Sequence, residues 1–488
     1  IGDLDGDGFP EVVTACEQTP GAGKAITHPR IYKNLGRGPD GWLGLRYEEA
    51  RFPQLLHLTT GVPLEPRFPT VELADLNGDG FADLYFGDHD TGTTLFGGLQ
   101  PASEDTDDRV LFNDGNGFFT DVSSTAMTPA MLASNFCNSV VLADVNADGA
   151  IDVVKQTTYA APEIVSIAYN DPLAPGSFTV QETYSPPSPY FVDAGDLNAD
   201  GRLDIVLTQN DDDGMVFNLG NGPDGRVDWS PGVAPYELLV GAEPVGQFGL
   251  SYSSNTRVLD LDQDGWSEVL VADVDPEINF YEDGFRLHLY HNRGGTPGGT
   301  DVVLREERGS ALDGQTAANG SWIGARGLSA LDLRWTHDFA VFDVDGDGLL
   351  DLVLSRREGT QVWLQRPAPT CQPDLGFGDG APMLELCGDA LASGGTATLK
   401  LYAGAPLAPA LFAFATAANP TPIPSLGITV VPSPTVAQVP SNTDALGTAA
   451  LGVNGGNGPL TVVVQAFTLE LGSLSVEGSN AVAAEFLP

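Results

Sequence analysis

The chain has 488 residues, 66 Asp and Glu against 22 Lys and Arg, a formal net charge of −44 at pH 7, and 42% hydrophobic residues. That length accommodates two to four domains, or a repeat array with an appendage, and the apolar fraction is enough to build cores, which excludes wholesale disorder. The acidity excludes nucleic acid and anionic membrane surfaces as partners, because both need a basic surface; what such a chain attracts is cations.

With 59 Gly and 36 Pro, the composition favours short strands and turns over long helices. No stretch reads as a transmembrane helix: the longest uncharged segment, residues 401–443, is broken by Pro406, Pro409, Pro420, Pro422 and Pro424. No signal-peptide pattern opens the chain. It begins at Ile1, two residues before the first copy of a repeated motif.

That motif, Asp-x-(Asp/Asn)-x-Asp-Gly-x-x-(Asp/Glu), occurs six times. In chain order its copies are Asp3, Asp5, Asp7 and Glu11; Asp75, Asn77, Asp79 and Asp83; Asp144, Asn146, Asp148 and Asp152; Asp196, Asn198, Asp200 and Asp204; Asp260, Asp262, Asp264 and Glu268; and Asp343, Asp345, Asp347 and Asp351. A hard cation such as Ca²⁺ takes six to eight oxygens at about 2.3–2.6 Å. Alternate acids in a tight loop point oxygens inward, and the glycine lets the backbone turn. The seventh position can add a backbone carbonyl, here from Phe9, Phe81, Ala150, Arg202, Trp266 or Leu349, and the last acid completes the shell. An EF-hand would need Glu at its twelfth position; Thr14, Phe86, Lys155, Leu207, Val271 and Leu354 stand there instead, so EF-hands are excluded.

Short β-branched and aromatic runs flank the loops. Residues 71–74, 140–143, 257–259 and 339–342 precede them, and residues 84–86, 153–154, 205–207, 269–271 and 352–354 follow. A third predicted strand ends in Asn34, Asn113, Asn170, Asn218, Asn292 or Gln365, and a fourth often follows, as at residues 117–122 and 177–180. Four antiparallel strands per unit make one propeller blade.

These units resemble the FG-GAP/VCBS repeats of secreted β-propellers, the family that includes the integrin α-subunit head, over roughly residues 1–367. The resemblance implies about six bound Ca²⁺ with the ligands named above. Asn77, Asn146 and Asn198 lower the charge of their loops, and Glu11 and Glu268 are longer than the usual closing Asp. Calcium is expected to be structural. The expected fold is all-β: a six-bladed propeller, or with a further blade upstream a seven-bladed one, followed by a β-sandwich. The phase of the repeat leaves the sixth unit without a fourth strand after Gln365 and the first unit with only the end of its first strand. Some 15 or more residues before Ile1, or a strand from a neighbouring molecule, would complete that blade.

Composition shifts after Arg366. Residues 368–373 read as a linker and 374–488 as an Ig-like sandwich, with strands expected at 396–401, 411–414, 428–431, 449–453, 460–466 and 481–486. This part resembles C-terminal sandwich modules of secreted bacterial proteins, which implies export. Cys371 and Cys387 are expected to form a disulfide, worth roughly 3 kcal/mol in a chain-entropy model; Cys16 and Cys137 stand open between a bridge and two buried thiols.

Catalytic patterns are absent: no Gly-x-Ser-x-Gly, no His-Glu-x-x-His, no phosphate loop. His288 and His291 are three apart on an expected strand and are read as facing opposite sides, against a zinc site. Acidic clusters at 104–108 and 211–213 read as solvated loops, with extra calcium sites as the sharper alternative. The function expected is non-catalytic: extracellular or cell-surface adhesion, binding of a protein or glycan, or assembly of copies into a fibre, without membrane insertion. The alternative is a carbohydrate-active lyase or hydrolase, since acid pairs of the kind glycosidases use are plentiful.

Overall fold

A computed structural model of the chain describes residues 1–15, 28–39, 41–64, 66, 68–88, 107–132, 137, 139–156, 165–184, 189–209, 214–231, 234–235, 253–273, 287–292, 294–306, 322–324, 333, 335–356, 359–365, 370–372, 374–376, 382–388, 390–402, 404–444, 447–456 and 458–487. It is almost entirely antiparallel sheet, with short helical turns such as Ser123–Ala126 and Pro129–Leu132. The chain forms two compact units, residues 1–237 with 248–305, and residues 238–247 with 306–488.

The first unit holds five sheets of one plan, each carrying one acid loop between its first two strands. In sheet two, Thr70–Ala74 leads into the loop, Asp83–Gly87 leaves it, and Arg109–Asn113 and Phe119–Asp121 follow in order. Sheets three, four and five repeat the order with Val140–Ala143, Pro189–Gly195 and Ser253–Leu259 as first strands. In sheet one the first strand is represented by a single bridge, Gly2 to Glu11.

The second strands are the most apolar because both their faces are covered, which gives a near-continuous hydrophobic run. Leu84 and Phe86 point into a cluster with Leu4, Ile31 and Phe52, whereas Tyr85 points the other way, against Val140, Val153 and Phe178. Ile205 and Leu207 pack with Val154 and Ile167, and Val206 packs with Val269 and Tyr290. Each successive pair of sheets in the first unit therefore encloses its own core, the arrangement of propeller blades.

The second unit contains the sixth loop sheet and a sandwich. Thr336–Phe342, Asp351–Arg356 and Gly359–Gln365 are the first three strands of the loop sheet. Its fourth place is not empty, as the repeat phase led one to expect. Trp322–Gly324, from upstream of the first strand, pairs antiparallel with the third, Trp322 opposite Gln365.

In the sandwich, one sheet contains Met383–Gly388, Thr396–Tyr402 and Ala449–Asn454; the other contains Pro409–Ala415, Ala437–Asn442, Leu460–Glu470 and Ser475–Phe486. Leu384, Leu399 and Leu401 from the first meet Phe412, Val464 and Val482 from the second. Every strand expected here forms, one to six residues longer. Residues 383–388, 418–423 and 437–442 form strands that went unread. Pro420 and Pro422 disguise Ala418–Ile423, which tolerates them because it is solvent-facing and, among the described residues, pairs only with Ile428–Pro432. The register places Cys371 opposite Cys387.

Candidate metal centre

All six loops are built by the same backbone bonds. The first acid accepts from the amide of the glycine five residues on: Asp3 from Gly8 at 2.9 Å, Asp75 from Gly80 at 2.8 Å, Asp144 from Gly149 at 2.8 Å, Asp196 from Gly201 at 2.7 Å, Asp260 from Gly265 at 3.0 Å and Asp343 from Gly348 at 2.9 Å. The fifth-position acid accepts the amide of Phe9, Phe81, Ala150, Arg202, Trp266 or Leu349. The motif glycines have φ between 81 and 94°, the left-handed region they were expected to supply. The fourth position is left-handed as well, including the non-glycines Ala147, Ala199 and Gln263 at 55, 55 and 63°.

The closing acid is an anchor. One oxygen of Asp204 accepts the Leu197 amide at 3.0 Å and the other the Asn218 amide at 2.8 Å, tying loop to third strand. Asp83, Asp152, Asp351, Glu11 and Glu268 make the same two bonds with their own loops and third strands. All six are buried. Burial, only partly offset by the backbone donors, pushes Asp83 up to about 6, Asp152 and Asp204 to about 7, and Glu268, with Asp262 adding to the effect, to about 9. Asp83 Oδ2 also accepts the Asn77 amide at 3.2 Å; an oxygen that holds a single amide keeps a further lone pair, and there anchoring and cation binding are compatible.

The second motif position, unread in the sequence, is Leu or Val in every copy. Leu4, Leu76, Val145 and Leu197 are buried in the cores between sheets, and their carbonyls receive the third-strand Asn of the next sheet. Asn113 Nδ2 reaches Leu4 at 2.9 Å, Asn170 Leu76 at 2.8 Å, Asn218 Val145 at 2.9 Å and Asn292 Leu197 at 2.8 Å. The five loops of the first unit are thus linked in series.

Oxygens sharing one Ca²⁺ lie at most about 4.6–5.2 Å apart. Asp343, Asp345 and Asp347 bring one carboxylate oxygen each within 4.8 Å of one another; so do Asp260, Asp262 and Glu268, and Asp3, Asp5 and Asp7. In loop four, the Oδ1 of Asn198, at the third motif position, is buried and has no hydrogen-bond partner. In loops two and three the Asn77 and Asn146 amides turn to Asp79 and Asp148, at 3.0 and 2.9 Å. The residues of loops five and six therefore fit a hard cation, with the carboxylates of Asp345 and Asp347 exposed to bulk solvent.

Sequence reasoning missed three residues beside the loops. Lys33 Nζ bonds Asp5 and, at 2.6 Å, Asp7. Arg51 Nη2 bonds Asp5 at 2.7 Å. His291 Nδ1 lies 3.7 Å from Asp262 and 3.5 Å from Glu268, so it faces loop five, while His288 is buried. Lys33 and His291 each precede the third-strand Asn, the positional signal that would have found them.

One sequence expectation is corrected here. Asp108 is not solvated: it is fully buried and accepts from Lys155 Nζ at 2.6 Å, Tyr85 Oη at 2.8 Å and the Asp88 amide at 2.8 Å. The rest of that cluster up to residue 106, and residues 211–213, lie outside the described residues. Cys137 is a buried free thiol, its Sγ 3.5 Å from the Ser139 carbonyl; Cys16 lies outside the described residues.

The sequence model of the FG-GAP-like repeat matches residues 75–154, a span that starts at the first acid of loop two and ends just past loop three. No curated protein matches the chain. Among the described residues, no helix is long and apolar enough to cross a membrane.

Proposed function

We propose that this is an extracellular, calcium-stabilised propeller protein that acts by binding or assembly and not by catalysis, with a C-terminal Ig-like module and a Cys371–Cys387 disulfide. The observation that carries the reading is the recurrence of one loop architecture, in which the closing acid ties its loop to the third strand in all six copies and three acids converge in loops one, five and six. The carboxyls pushed furthest from their ordinary range in the repeats, Asp152, Asp204 and Glu268, are these anchors, which supports a structural use of the acids.

Low-affinity sites suit the outside of a cell, where calcium is millimolar. With dissociation constants of about 10⁻⁴–10⁻³ M, each occupied loop adds roughly 0.5–1.5 kcal/mol. Summed over several loops, that rivals the net stability of a domain. The opposed register of Cys371 and Cys387 supports an oxidising compartment.

The decisive experiment is thermal unfolding in millimolar Ca²⁺ and in excess chelator. Chelation is expected to lower the melting temperature, and an unchanged temperature would sink the calcium reading. Incubation with a polysaccharide panel tests the rest: released reducing or unsaturated sugar would show an enzyme.

A further inference from the structure

Loop one differs from its siblings in what meets its acids. The Lys33 ammonium bonds Asp5 and Asp7 and lies 3.6 Å from Glu11, reaching the third, fifth and closing positions at once. These are positions whose oxygens would surround an ion. Arg51, itself buried, adds a second positive group on Asp5 and is held in place by Glu48 at 2.5 Å. Its position is built into the neighbouring sheet as well. A Cβ on Gly117, which has φ +77°, would stand 2.1 Å from Arg51 Nη1, so only glycine leaves the guanidinium its room.

In the other first-unit sheets the residue at the Lys33 place is Phe112, Tyr169, Phe217 or His291, none of which carries an ammonium. Among the described residues no Lys or Arg pairs with Asp343, Asp345 or Asp347. Loop four has a basic contact, Arg202 on Asp200, but it engages one carboxylate from the rim and is 37% exposed, against 17% for Lys33.

We propose that loop one is closed by the chain's own cation: the Lys33 ammonium, backed by Arg51, takes the place of an ion, so this loop excludes metal and holds its shape when calcium is withdrawn. Two positive side chains carry the formal charge of one Ca²⁺. Asp5 Oδ1 keeps no hydrogen bond, but one such oxygen is far short of the six to eight that Ca²⁺ requires. The inference rests on the calcium reading of the other loops only for its contrast.

The test counts ions on the full chain. Wild type and Lys33→Met, which keeps the stem and loses the charge, are stripped of metal, dialysed against millimolar Ca²⁺ and measured by atomic emission. The variant is expected to bind one ion more per chain than wild type; equal counts overturn the proposal. The wild-type count judges the calcium reading separately, since zero there sinks that reading whatever the difference. Should the variant fail to fold, hydrogen exchange of the wild type decides. The Gly6, Gly8 and Phe9 amides are expected to keep their protection on chelation, and an acceleration of about tenfold or more would overturn the proposal.

Discussion

Asn170 of the third sheet donates its side-chain Nδ2 to the Leu76 carbonyl of the second at 2.8 Å, while its own backbone amide is held by Asp152 at 2.8 Å. One residue thereby joins its own loop to the loop before it. Because Leu76 is itself held by Asp83 and buried between the two sheets, the bond ties together two elements that are already rigid. The two loops are thus joined through short, buried contacts.

Replacing Asn170 with Ala strands the buried Leu76 carbonyl and removes a second bond, to the Ile151 carbonyl at 3.0 Å. The expected cost is about 1–3 kcal/mol, read as a lower urea midpoint at fixed calcium. Asn170→Asp should cost at least as much, since an acceptor then faces two carbonyls. The number of calcium ions bound should not change in either variant.

Closing acids and converging acids should separate cleanly. Asp204→Asn keeps the shape but turns one N–H toward an amide that needs an acceptor, at Leu197 or Asn218. It is expected to lower stability by about 1–3 kcal/mol whether or not calcium is present. Asp347→Asn touches an exposed side chain that the proposal makes a calcium ligand. It should leave stability in chelator unchanged and reduce only the gain that calcium brings. Melting curves of both variants in calcium and in chelator give the comparison.

The motif spacing made the loops, the strands beside them and the third-strand Asn legible, because a turn closed by alternate acids and a period of two both constrain neighbours along the chain. What stayed hidden acts across sheets. Asn113 marks a turn in the sequence, but its bond to Leu4 spans 109 residues. Lys33 and Arg51 approach Asp5 from 28 and 46 residues away. Asp108 looked like one acid in a solvated run because its counter-charge, Lys155, stands 47 residues on. Trp322–Gly324 was missed as the fourth strand of sheet six because it comes before the first; a repeat's phase does not reveal which segment fills its last place.

Asp193 supplies a pH dependence independent of the loops. Its Oδ2 accepts the Val258 amide at 2.7 Å. Burial pushes its carboxyl from 3.8 up to about 6, against the opposing pull of Arg257 and the backbone donors. The folded state therefore holds this proton more tightly than the unfolded chain does. The contribution to stability is complete below pH 3.8 and is lost as pH rises through 6. Asp193→Asn keeps an acceptor for Val258 and has no charge to bury. Relative to wild type its stability should be near equal at pH 4 and higher by up to about 3 kcal/mol at pH 7. Urea titrations of both proteins across that range in constant calcium are the check, and a flat difference would show that Asp193 does not titrate there.

The buried pair Lys155–Asp108 makes the sharpest stability prediction. Lys155 Nζ reaches Asp108 at 2.6 Å and the Met131 carbonyl at 2.9 Å; Tyr85 completes the cluster at 2.8 Å, and all three side chains are buried. The pair itself gains little over an apolar replacement, because both charges were taken out of water. Removing one partner is different. Asp108→Ala removes the carboxylate 2.6 Å from the ammonium and the acceptor of the Tyr85 hydroxyl, and should cost about 3–5 kcal/mol. Lys155→Met leaves Asp108 with donors from Tyr85 and the Asp88 amide, so its cost should be smaller. The double variant Asp108→Ala with Lys155→Met removes both charges and should be more stable than Asp108→Ala alone. Urea denaturation of the single and double variants measures the coupling; additive losses would mean that Lys155 and Asp108 do not act as a pair.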